Sequence, residues 1–142
     1  PTNWSKRMSP DVIGTIYMRN VYELIFPTTL TDEITNSPMA PALQVGRMNI
    51  PTNIENEWND WYNQIYVPNY ETVTGVIRGR RYQTMEGSPK YMTFYELESA
   101  MASQTEEWQK QQTAHPTNER MREEMQHEAD SPGIWIKTFE LE

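Results

Sequence analysis

The sequence predicts an α+β fold in the ferredoxin-like βαββαβ order, preceded by an N-terminal arm that carries an extra strand. Three observations predict it. From Ala42 onward strand-like and helix-like patterns follow one another in that order. The first helical pattern has a single apolar stripe, as a helix lying on a sheet requires. The last strand-like run is apolar on both sides, so the sheet needs cover on both faces. A chain of 142 residues has room for one compact core, which divides here into an arm, residues 1–41, and a core domain, residues 42–142.

The arm is rich in Pro, Thr, Asn and Ser and ends in the loop-like TDEITNSPMAP, but Ile13 to Phe26 within it is β-branched and aromatic and predicts a strand. That strand either covers a sheet edge or reaches a partner subunit. ALQVGRMNI, from Ala42, predicts the first core strand. After Pro51, Thr52 or Asn53 is the expected N-cap of a helix with Glu55 and Glu57 in its first turns. Ile54, Trp58, Trp61 and Ile65 recur at spacings of four, three and four on one face of it. Pro68 disfavours helical geometry at Val67, so this helix is expected to end near Tyr66. GVIRGRRYQTM and PKYMTFYELE, separated by EGS and Pro89, predict an antiparallel hairpin. Ser103 with Glu106 forms a capping-box pattern for a helix through Thr113, and Thr117 caps a second segment through about Ala129. Ser131, Pro132 and Gly133 then turn the chain into a final strand running to Glu142. Ile134 and Ile136 lie on one side of that strand and Trp135, Phe139 and Leu141 on the other, which predicts a homodimer whose sheets pack together.

The net charge of −8 repels phosphate backbones and anionic lipid surfaces, so neither nucleic acid nor membrane is an expected partner. There are no cysteines, which removes disulfides, thiolate metal sites and thiol nucleophiles. No apolar run reaches the length of a membrane span and PTNWSKRMSP lacks the apolar core of a secretory signal, so the expected location is cytoplasmic. The two histidines have no matched carboxylate spacing, so no metal site is expected, and no glycine-rich phosphate loop occurs. The nine methionines are scattered in the manner of core filling.

The segment NDWYNQIYVP, the following GVIRGRRY and then PKYMTFYELES resemble the EthD-like branch of the dimeric α+β barrel superfamily, related to the Dabb proteins. The resemblance covers roughly Ala42 to Glu142. It implies a homodimeric barrel with a ligand cavity between each sheet and its helices. Members include cofactor-free decarboxylases and polyketide cyclases, alongside haem-using and oxygen-using enzymes. The family pattern commonly places a histidine two residues before the proline of this helix, and Tyr66 stands there in this sequence.

On this basis the expected function is that of a small cofactor-independent lyase, cyclase or isomerase acting by proton transfer on an aromatic or polyketide-like molecule. The alternatives are a non-catalytic homodimeric binding or accessory protein, and a haem- or oxygen-using member of the same superfamily. Tyr66 is the expected acid or donor, since a phenol with a pKa of about 10 is protonated at neutral pH. Its other reading is simple packing. His115, at the AHPT break between helical segments, is the expected base, against the alternative of a surface histidine; His127 is expected to face water. Trp58 and Trp61 are expected to wall the pocket, and Tyr62 and Tyr95 to orient the substrate. Arg80 and Tyr82 share a strand face with Arg78 while Arg81 points the other way; an enclosed arginine would clamp a carboxylate or phenolate, and an exposed one would pair with surface acids.

Overall fold

The computed structural model describes residues 19–139. Strand β1, Val21–Phe26, is followed by a short helix α1, Asp32–Asn36, and strand β2, Ala42–Asn49. The next helix has three parts: α2, Glu55–Trp61, a π-helical turn, Tyr62–Tyr66, and α3, Val67–Glu71. The hairpin follows as β3, Val76–Glu86, and β4, Tyr91–Leu97. A 3₁₀ turn, Ala100–Gln104, leads into α4, Glu106–Lys110, and α5, Asn118–Glu123. The short strands β5, Gln126–His127, and β6, Gly133–Ile136, complete the described chain.

All strand pairs are antiparallel, and the six-stranded sheet has the order β1-β3-β4-β2-β5, with β6 also pairing with β2. The core strands therefore lie as β6-β2-β4-β3, compatible with the ferredoxin-like arrangement. The arm contributes β1, which covers the outer edge of β3; the first part of its expected strand lies outside the described residues. Among the described residues no helix is long and apolar enough to cross a membrane.

Strand alternation decides which side chains meet the helices. Met48 opposite Tyr91, Gly46 and Arg81 opposite Thr93, and Gln44 and Gly79 opposite Tyr95 share the helix-facing side. Against them pack Trp58, Trp61, Tyr62, Tyr66, Val67, Tyr70 and Trp108, all buried. The expected stripe is present, with Trp58 and Trp61 buried and Ile54 and Ile65 packed at its margins. The opposite side carries Leu43, Val45, Met92, Phe94 and Trp135, and α1 reaches it where the Ile34 carbonyl accepts from Arg80.

Several element boundaries differ from expectation. The helix does not stop at Tyr66 but continues through Pro68 to Glu71. Its π turn widens the spiral, so the Val67 N–H bonds the Tyr62 carbonyl, and Pro68 falls in the first turn of α3, where a missing N–H costs least. Neither Thr52 nor Asn53 caps α2, which starts after Ile54 with no side-chain cap. Ser103 is not the cap of α4 either. The 3₁₀ turn occupies that position, and Thr105 accepts the Trp108 N–H instead. The two later helices are shorter than their patterns suggested, ending at Lys110 and Glu123, and the last strand ends at Ile136 rather than continuing towards Glu142.

Candidate functional site

A cavity of about 270 Å³ lies between the sheet and the helices. One wall is a file of tyrosines, Tyr62, Tyr66 and Tyr70, with ring centroids 5.2 and 5.0 Å apart. Their alignment follows from the backbone. A step of four residues overshoots an α-helical turn and falls short of a π turn, so the π segment and α3 offset one another and the rings stay in line. Tyr95 and Thr93 rise from β4 opposite this file, and Trp108 from α4 closes one end against Tyr70 at 4.4 Å. Gln44 and Gln112 add amides, and Arg122 from α5 and His127 from β5 also line it.

The hydroxyls are held as donors. Burial pushes the Tyr62 phenol up to about 12, and the neighbouring Tyr66 adds to the rise. Burial, reinforced by Tyr70, raises Tyr66 still further, and Tyr70 and Tyr95 are raised by burial as well. At neutral pH all four keep their protons. Tyr66 and Tyr70 face each other across a long hydroxyl contact of 3.5 Å. The buried Tyr95 hydroxyl and Thr93 Oγ1 make no hydrogen bond of ordinary geometry among the described residues. His127 is exposed to solvent, as expected, yet also borders the wall; partial desolvation and then the Arg122 charge lower its pKa, so it is neutral and able to accept a proton near neutrality.

The structure brings together Tyr62, Tyr66 and Tyr95 of the expected site residues. Trp58 and Trp61 sit one layer behind. Trp58 packs on Tyr62 and Tyr91, and Trp61 stacks on Tyr66 at 4.4 Å while its Nε1 donates to Asn118 Oδ1 at 3.0 Å. They fix the tyrosine rings rather than line the cavity. His115 is occupied locally, since its Nδ1 accepts the Thr117 N–H and contacts Thr117 Oγ1 at 2.7 Å. Arg80 and Tyr82 stand on the other side of the sheet, where Arg80 and Arg78 both pair with the buried Glu96. Arg81 is the arginine on the cavity side. It is fully buried behind Tyr62, with its guanidinium carbon 4.2 Å from that ring's centroid, and donates to Asn63 Oδ1 at 2.6 Å and Asn59 Oδ1 at 2.8 Å.

Tyr70, Trp108, Arg122 and His127 are wall residues that the sequence reading did not select. Tyr70 continues the four-residue spacing of Tyr62 and Tyr66, a signal hidden by treating Pro68 as a terminator. Arg122 falls beside Met121 and Met125 in a charged run whose buried side is short. Compared with known protein families and curated proteins, the chain matches no family model and no curated sequence.

Proposed function

We propose that this chain is a small cofactor-independent enzyme that moves a proton on a compact aromatic or polyketide-like molecule held between sheet and helices. One observation carries the reading: protonated tyrosine hydroxyls and a neutral histidine converge on one cavity. A volume of about 270 Å³ suits a single ring with short substituents, since an apolar cavity of about 150 Å³ already holds benzene. His127 would take a proton from a carbon flanked by carbonyls, and the oxygen that becomes an enolate would accept hydrogen bonds from Tyr66 and Tyr70. Tyr62 and Tyr95 would orient the ring. His127 thus takes the part first expected of His115. The resemblance to the EthD-like branch supports the same reading, as does the exposed Trp135 on the opposite sheet face, which we assign to a second copy of the chain in a dimeric α+β barrel.

Single-ring 1,3-dicarbonyl compounds incubated with the protein in D₂O test this. Proton NMR should show exchange at the acidic carbon above the buffer rate, reduced roughly tenfold or more in Tyr66→Phe and in His127→Ala. The second reading, a non-catalytic binder, is favoured by the exposed placement of the one suitable base and by the donor-only character of the tyrosines. Exchange at the buffer rate for every compound, with binding intact, would establish it.

A further inference from the structure

We propose that the cavity selects an anion, specifically a single-ring carboxylate whose charged end is held by Arg122 and the tyrosine hydroxyls. This rests on the reading that the cavity holds a small ring compound, and it names the chemical class. The first observation is a local reversal of charge. The chain has 20 acidic residues against 12 basic ones, yet no carboxylate lines this cavity among the described residues, whereas Arg122 does.

The second observation concerns how the arginines are paired. Arg19, Arg47, Arg78, Arg80 and Arg120 each have a carboxylate partner, in Glu86, Asp130, Glu96, Glu96 and Glu57. Among the described residues, Arg81 and Arg122 have none. Both belong to the cavity, Arg122 on its wall and Arg81 directly behind Tyr62. Arg81 is fully buried, is held only by neutral amide oxygens and aromatic faces, and leaves its Nε without a hydrogen bond. A buried cation without a counter-charge is costly, and an anion beyond the Tyr62 ring would offset it.

The third observation is an excess of donors. The hydroxyls of Tyr95 and Thr93 are buried without ordinary partners, and that of Tyr66, which lies beside the Arg122 guanidinium, meets Tyr70 at a long 3.5 Å. A carboxylate offers two oxygens and about four acceptor positions, which such a set can fill.

Calorimetric titration of the full chain with benzoate and with benzamide separates charge from shape, because the two share a ring and nearly the same outline. Benzoate should bind at least tenfold more tightly than benzamide. Arg122→Gln should remove most of that preference while leaving benzamide unchanged. Arg120→Gln, on the same helix but paired with Glu57 at the surface, should alter neither. Equal affinities, or tighter binding of benzamide, would overturn the anion assignment and leave the ring cavity standing. Binding of neither at millimolar concentration would overturn both. The wild-type comparison needs no substitution at Arg81, so the outcome does not depend on that buried residue being replaceable.

Discussion

Tyr62 shows how burial alone sets the chemistry of a residue. Removing a phenolate from water costs far more than removing a phenol, so the folded protein holds the proton until about pH 12, against an ordinary value of 10.0. The sign of the linkage follows. A pKa raised on folding adds stability that is fully present below pH 10 and is lost as the pH rises through 12. Tyr66, Tyr70 and Tyr95 shift in the same direction. Thermal melts followed by circular dichroism should therefore hold steady up to about pH 10 and then fall steeply. Tyrosinate absorbance near 295 nm should appear in two stages, the second coinciding with loss of structure. A single titration near pH 10 with the fold intact would show that the file is accessible to water. Trp58, Trp61 and Tyr62 were legible in the sequence because periodicity reports burial. Arg81 was legible only as a residue on the opposite strand face from Arg80, since alternation gives direction and says nothing about what a charge will meet there.

The helix over Tyr62 lies close to the sheet because Gly79 lets it. A Cβ at Gly79 would come within 2.5 Å of Val67 Cγ1 and 3.2 Å of Tyr95 Cε1, while the backbone there is ordinary. Gly79→Ala should consequently cost about 1–3 kcal/mol by overpacking. Adding Val67→Ala should recover part of it, a coupling that denaturant titration of both single variants and the double variant would measure. Additive losses would mean that α3 does not rest on β3 at this point. The order of the core strands was readable from the pattern, whereas ends were not, and two short elements were missed: α1 inside a stretch read as loop, and β5 inside a segment read as helix. Pro68 carries a rule about α-helices that a π turn evades. The Ser103 and Glu106 pair satisfies the capping-box pattern as well as Thr105 satisfies the structure, because two hydroxyls two residues apart compete for the same helix start.

At the scale of the whole molecule, one face of the sheet is layered with helices and the other carries a shallow apolar concavity of about 560 Å³ lined by Leu43, Val45, Met92, Phe94 and Trp135. Trp135 is 64% exposed and Phe139 is 69% exposed, values that favour burial against a partner. Arg78 and Arg80 share the single carboxylate of Glu96 on this same face, so a covering surface would meet a paired cluster with one positive charge left over. β1 covers the outer edge of β3, which leaves the face rather than that edge as the surface for association. A second copy fits a two-fold arrangement, since each subunit would present the same apolar strands and need the same cover. Sedimentation velocity at micromolar concentration should then give a dimer for the wild type. Leu43→Glu combined with Trp135→Glu should give monomers, because each copy would bring two further carboxylates into the interface and like charges would have to be buried together. Leu43 and Trp135 are opposite each other on β2 and β6, on the side away from the tyrosine file, so the monomer should keep its helix-side core and its fluorescence from buried tryptophan. A monomeric wild type would refute the two-sheet arrangement directly, and a double variant that remains dimeric would move the interface away from this face.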